Sequence, residues 1–117
     1  MTDRWQIIYW ESNRGISPVY EFIEKLEVKQ QSKIYNSFEL LEEYGPQIGS
    51  SHSKKLKRFD VRELRILGSN NLRIFYAAIT GRSFLLLHGI KKKSQKTPMQ
   101  EIKTAQKRFE EYSAKKL

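Results

Sequence analysis

Apolar positions along the 117-residue chain change period several times, and each change marks an element. Trp5-Gln6-Ile7-Ile8-Tyr9-Trp10 is short, aromatic and β-branched, which predicts a strand. Ser17-Pro18 then opens a helix, with a hydroxyl at the N-cap and a proline whose φ is preset for the first helical position. Val19, Phe22, Ile23 and Leu26 follow at helical spacing and make one apolar face. A second helix, from about Lys29 to Tyr44, repeats the pattern with Ile34, Phe38 and Leu41. Gly45-Pro46 stops it, because glycine tolerates a left-handed backbone and proline cannot extend a helix.

Gln47 to Ser53 reads as a polar loop, and the period then falls to two. Arg62 to Gly68, Leu72 to Thr80, and Ser83 to about Ile90 read as strands, separated by Gly68-Ser69-Asn70-Asn71 and Thr80-Gly81-Arg82. Lys54 to Phe59 is a candidate short edge strand. The short connections predict an antiparallel meander. Thr97-Pro98 opens a last helix, with Thr97 and Gln100 at capping-box spacing and Ile102, Ala105, Phe109 and Tyr112 as the buried stripe. The order β-α-α-β-β-β-α predicts an α+β fold: a small twisted antiparallel sheet with two N-terminal helices and one C-terminal helix. No repeat or Pro/Gly-rich linker interrupts it, so residues 1–117 read as a single domain.

Composition narrows the chemistry. Cysteine is absent, which removes disulfides and thiolate sites, and His52 and His88 are too few for a dedicated zinc site, so no metal is expected. No glycine-rich phosphate loop is present, and no cofactor is expected. No apolar run approaches the roughly 20 residues of a membrane span, and Met-Thr-Asp-Arg-Trp is no secretory leader, so a cytoplasmic protein is expected. The net charge is +9, but it is unevenly placed: residues 1–50 hold five Lys/Arg and eight Asp/Glu, whereas residues 51–117 hold seventeen and five. A basic half on an otherwise acidic chain points to a polyanion, nucleic acid before anionic membrane, against the plainer reading of a solvated basic face. A membrane surface would need the apolar stripe of the last helix, which the core claims instead.

The basic residues fall where chemistry could use them. In Arg62-Glu63-Leu64-Arg65-Ile66, alternation sends Leu64 and Ile66 to the core and leaves Glu63 and Arg65 on the open face. Arg73 joins them if the intervening turn has odd parity, which we expect. Lys92 follows the next strand, with His88 nearby. Metal-free RNA cleavage needs a base for the ribose 2′-OH, cations for the phosphorane and an acid for the leaving 5′-oxygen. Glu63 beside Arg65 could serve as base, Arg65 and Arg73 could grip phosphate, and Lys92 or His88 could donate the proton. Lys54, Lys55, Lys57, Arg62, Lys91, Lys93 and Lys96 are the candidate RNA contacts. The plainer reading of any one of these is a cross-strand Glu–Arg pair or a solvated turn.

Lys55-Leu56-Lys57, Glu63-Leu64-Arg65-Ile66 and Leu72-Arg73-Ile74-Phe75-Tyr76 resemble the RelE/HigB superfamily of type II toxins. Leu86-Leu87-His88-Gly89-Ile90-Lys91-Lys92-Lys93-Ser94-Gln95-Lys96-Thr97-Pro98, with Glu101-Ile102 and Ala105, is similar to the signature of its phage-derived, HigB-like branch. The resemblance spans about Trp5 to Tyr112. It implies a RelE-like fold and a ribosome-dependent messenger-RNA endonuclease, an mRNA interferase that inhibits translation. It also implies a cognate antitoxin, often a helix-turn-helix protein, with the ribosome and mRNA as further partners and no membrane. The superfamily's catalytic basic positions fall on Glu63, Arg65, Arg73 and Lys92. Glu63 stands where the best-known enzymes have lysine, and Thr97-Pro98 occupies the stretch where some members carry a catalytic tyrosine, which leaves the general base open. A non-catalytic RNA- or ribosome-binding module, or an inactivated toxin, is the alternative.

Overall fold

The computed structural model describes residues 3–116. Its elements run β1 (Gln6–Tyr9), α1 (Pro18–Glu24), α2 (Val28–Tyr44), a short 3-10 turn (Gly45–Gln47), β2 (Ser53–Lys55), β3 (Arg62–Arg65), β4 (Leu72–Ile79), β5 (Ser83–Lys91) and α3 (Met99–Lys115). Local signals account for most boundaries. Ser17 is extended and its Oγ accepts the Tyr20 N–H at 3.3 Å, closing the N-terminus of α1 with Pro18 just inside. Gly45 ends α2 at φ 55°, and a Cβ there would stand 2.5 Å from Nε1 of Trp5, so both the backbone and the indole demand glycine.

The α+β class and the three helices are as expected, and the candidate edge strand is real, though confined to Ser53–Lys55. The sheet differs in one respect: it is mixed, with strand order β1-β5-β4-β3-β2. Strands β2 to β5 form the antiparallel meander, and β1 joins parallel to β5. The reason is the αα-hairpin. It carries the chain from one sheet edge to the other, and the meander then returns to β1, as parallel neighbours require a long crossover.

Both faces of the sheet are covered. On one side α1 and α2 supply Val19, Ile23, Ile34, Phe38 and Leu41 against Leu64, Ile66, Leu72, Ile74, Tyr76, Phe84 and Leu86. On the other, Ile102 and Ala105 of α3 pack on Phe75, Ala77, Leu85, Leu87 and Ile90, with Trp10, Leu56 and Val61. Burial on both faces explains the near-continuous apolar runs of β4 and β5, where alternation fails. It also corrects the expected open face of β3: Glu63 is only 4% exposed, because α3 and the loop before it cover that end of the sheet.

A bulge sets the phase of β5. Tyr76 pairs with Leu86 and Phe75 with His88, leaving Leu87 as an extra residue. Leu85 and Leu87 face α3, and the bulge returns His88 and Ile90 to that face as well. Without it, every later side chain of β5 would point the other way. The strand then passes so close to α1 that a Cβ on Gly89 would lie 2.6 Å from the Phe22 ring.

Candidate functional site

The cleft lies at the end of the sheet where β3, β4 and the loop after β5 meet. Arg65 stands directly opposite Arg73 in the ladder, so the two share a face, as the odd parity of the turn predicts. Lys54 is paired with Glu63 and therefore faces the same way. These residues, with Lys92, Gln95, Lys96, Thr97, Leu56 and Ile102, line a cleft of about 290 Å³. Five of its side chains are cationic and Glu63 is its only carboxylate.

Glu63 is fully engaged. Arg73 Nε donates to its Oε2 at 2.9 Å, and Thr97 Oγ1 donates to its Oε1 at 3.0 Å. The ion pair is largely shielded, with side-chain exposures of 6% for Glu63 and 12% for Arg73. Thr97 therefore does not cap α3, as its spacing to Gln100 suggests; the extended N-cap position is Pro98 and no side chain closes it. The hydroxyl is drawn to the buried carboxylate, where an unmet acceptor would cost more than an uncapped exposed helix end. Glu63 thus links β3, β4 and the start of α3. Arg73 also donates through Nη1 to the Leu72 carbonyl at 2.9 Å, which fixes the guanidinium plane.

Lys92 closes the cleft from the other side. Its backbone N–H donates to the Asn71 carbonyl at 2.6 Å, extending the β4–β5 pairing, and Nζ donates to the Gln95 carbonyl at 2.7 Å. Burial pushes its ammonium pKa below the ordinary lysine value, Arg73 pushes it further, and Glu63 opposes the shift. Arg65 is exposed and forms no ion pair among the described residues. An engaged Arg73, an Arg65 without an ion pair among the described residues and a partly buried Lys92 ammonium make a concave cationic cleft with one internal counter-charge.

The other sequence candidates divide by geometry. Lys54 and Lys96 line the cleft, and Lys93 lines an adjoining groove with Asn70, Asn71, Arg73 and Lys92. Lys55, Arg62 and Lys91 do not join it: they pair with or alternate onto the face of Leu64 and Leu72, which α1 and α2 cover. Arg62 there donates through Nε to Ser53 Oγ at 2.9 Å, and that hydroxyl bonds Tyr76 Oη. Lys55 Nζ is taken by the Phe59 carbonyl. Lys57 is exposed in the turn before β3 and outside the cleft.

His88 also lies outside the cleft. Phe75 stands between Glu63 and His88 in the cross-strand row, its ring stacked on the imidazole at 6.0 Å. Glu101 of α3 meets Nε2 at 2.5 Å, and Arg108 donates to Nδ1 at 3.0 Å while also binding the Leu87 carbonyl. An Arg donor on Nδ1 requires the proton to sit on Nε2, facing Glu101. Burial lowers the imidazole pKa, against the opposing pull of Glu101. The histidine nearer the cations is His52, which lines a second groove with Arg65, Arg73 and the Leu67–Asn70 turn, and whose carbonyl accepts the Arg65 N–H at 2.7 Å. Sequence reading passed over His52 and Thr97. Position relative to the strand motifs is the only signal that could have drawn either in, since His52 precedes Ser53-Lys54 and Thr97 closes the lysine-rich loop. Phe75, Tyr76 and Phe84 are buried and present no surface on which a base could stack.

Fold and cleft together define a class: a small α+β protein with one helix on one sheet face, two on the other, and a cationic cleft at the open end of the meander. Residues 21–110 match the model of the phage-derived Gp49-like protein family (DUF891), and the chain belongs to that family, which is associated with RelE/HigB-like toxins. No curated protein gives a significant match. Among the described residues, no helix is long and apolar enough to cross a membrane.

Proposed function

We propose that this protein is the toxin of a type II toxin–antitoxin system, of the HigB-like branch, and that it cleaves messenger RNA in the ribosomal A site. The supporting observation is the convergence of Arg65, Arg73 and Lys92 on one cleft with a single, internally held carboxylate. In this reading Arg65 and Arg73 bind the scissile phosphate and stabilise the charge that grows on it, since donors aimed at a developing anion are the largest catalytic term. Lys92, its ammonium destabilised by burial and by Arg73, neutralises the phosphorane or gives the leaving 5′-oxygen its proton. Attack by the ribose 2′-OH leaves a 2′,3′-cyclic phosphate and a 5′-hydroxyl, with no metal in the path. Glu63, bound on both oxygens, orients Arg73 and Thr97; for it to act as base, one of those bonds must loosen when substrate arrives. Lys54, Lys93 and Lys96 hold flanking phosphates. A cognate antitoxin, the ribosome and mRNA are the partners, and the protein works in the cytoplasm.

The test is inducible expression in bacteria of wild type, Arg73→Ala and Lys92→Ala, with primer extension on a translated message. Cleavage in phase with codons, dependent on active translation and abolished in both variants while their melting curves stay cooperative, supports the reading. Translation arrest undiminished by either substitution refutes the enzymatic reading and favours a binding module.

A further inference from the structure

The acidic half of the chain carries a groove that the RNA reading leaves unused. It runs beside β1, at the sheet edge opposite the cationic cleft, and is lined by Ile7, Tyr9, Tyr35, Phe38, Glu39 and Glu42 over about 380 Å³. Tyr20 adds a third tyrosine, edge-on to Tyr9 at 6.3 Å, and Tyr9 and Tyr35 each meet Phe38 edge-on at 6.4 and 6.1 Å. Tyr20 and Tyr35 are 52% and 41% exposed, and Ile8 on the other face of β1 is 40% exposed. Large aromatic rings left in water at one place are a contact surface in waiting.

Two further features say what would cover it. First, the outer edge of β1 is open from Ile7 to Tyr9, beyond the point where the Glu42 carbonyl of α2 accepts the Trp5 N–H at 2.9 Å. Gln6 and Trp10 donate their N–H groups inward to the Arg82 and Leu86 carbonyls, so alternation turns the Ile7 and Tyr9 amides outward, and no strand among the described residues pairs with them. Second, the rim is negative. Glu39 forms no ion pair among the described residues, Glu42 pairs with the exposed Arg4 at 3.4 Å, and the Tyr35 hydroxyl pKa is raised by burial and, to a lesser degree, by the Glu24 carboxylate. Tyrosine faces and carboxylates together suit Lys and Arg, by cation–π attraction and charge pairing. The same rim repels phosphate, so this edge does not extend the RNA site.

We propose that the β1 edge and its tyrosine groove bind an extended, basic segment of a protein partner, which adds as a further strand with apolar residues on the tyrosines and Ile8 and with Lys or Arg against Glu39. Such a partner lies across the width of the sheet from the cleft and leaves Arg73 and Lys92 open. The inference does not depend on the cleft's chemistry. It is tested by selecting phage-displayed random peptides on the immobilised full-length protein. Enriched peptides should combine basic residues with alternating apolar ones. A synthetic copy should bind about tenfold or more weakly to Glu39→Lys and to Tyr35→Ala, with Glu39→Gln intermediate, and equally well to Arg73→Ala. It should also slow hydrogen exchange at the Ile7 and Tyr9 amides. Three results would overturn the proposal. One is no enrichment, another is acidic peptides whose binding depends on Arg73, and the third is self-association that Glu39→Lys abolishes, which would make a second copy the occupant.

Discussion

Removing the Glu63 carboxylate tests the architecture of the cleft most directly. Its side chain is 6% exposed, Arg73 opposite is 12% exposed, and the bond between them is 2.9 Å. Glu63→Ala would leave a shielded guanidinium without its partner and the Thr97 hydroxyl without its acceptor. Breaking a buried pair from one side costs about 3–5 kcal/mol, and the opening of the cleft to water argues for the lower part of that range, about 3 kcal/mol. Glu63→Gln keeps the volume and one acceptor oxygen, replacing the other with an amide nitrogen and removing the charge opposite Arg73, and should cost about 1–2 kcal/mol. Glu63→Ala combined with Arg73→Met should cost less than the two single changes together, with a coupling of about 1.5–3 kcal/mol. Urea denaturation followed by the fluorescence of Trp5 and Trp10 measures the four variants against wild type. Trp5 stacks on Phe84 and Trp10 is buried, so both report on the fold. A cost below about 1 kcal/mol for Glu63→Ala, or a coupling below about 0.5 kcal/mol, would refute the claim that Glu63 and Arg73 act as one unit.

Three other outcomes follow from the geometry. His88 has a folded pKa below its ordinary value of 6.5, so the unfolded chain takes up the proton first as pH falls. Stability should therefore decline below about pH 6.5 until the folded imidazole also titrates, and His88→Gln should flatten that slope in melting curves recorded across the range. Because burial and Arg73 depress the Lys92 pKa, this amine should be acetylated faster near neutral pH than an exposed lysine such as Lys115, and Arg73→Met should slow it; peptide mass spectrometry after brief acetic anhydride treatment reads both. Gly45→Ala forces a Cβ to within 2.5 Å of the Trp5 indole at φ 55°, and should lower urea stability by about 2–4 kcal/mol with a shift in tryptophan emission.

The fold was legible where local chemistry sets it. Ser17-Pro18 and Gly45-Pro46 bound their helices because caps act within a few residues, while the shared face of Arg65 and Arg73 rested on an expected odd parity of the turn that the ladder now displays. What alternation could not reveal were consequences of the third dimension. Glu63 reads as solvent-facing from its strand, yet the loop into α3 returns 34 residues later to cover it, and Thr97 there takes up its second oxygen. The parallel pairing of β1 depends on where the αα-hairpin delivers the chain. His88 is close to Lys92 in sequence, but the bulge at Leu87 and the Phe75 ring assign it to α3, where Arg108 and Glu101 hold it. Among the candidate RNA contacts, Lys54 and Lys55 differ by one residue and by a whole face, which composition cannot distinguish.

The strand order gives the charge asymmetry a mechanical meaning. The acidic first half supplies β1, α1 and α2, and the basic second half supplies the other four strands and α3; the strand order then sets Glu39 and Glu42 beside β1 at one edge of the sheet and Lys54 and Arg65 on β2 and β3 at the other. Had β1 paired beside β3, its helices would have brought Glu39 and Glu42 toward Arg65 and Arg73, and a polyanion would have met a mixed field. Separation by the two central strands, β4 and β5, lets each end keep its own sign, because screened charges lose most of their influence over about 8–10 Å at physiological salt. A substitution at the tyrosine edge should then leave the salt dependence of RNA binding unchanged, whereas Arg73→Ala should reduce its slope by about 0.7, the share of a single-strand phosphate contact. Equal effects from Glu39→Lys and Arg73→Ala on that slope would show that the two ends share one electrostatic surface and would defeat the argument.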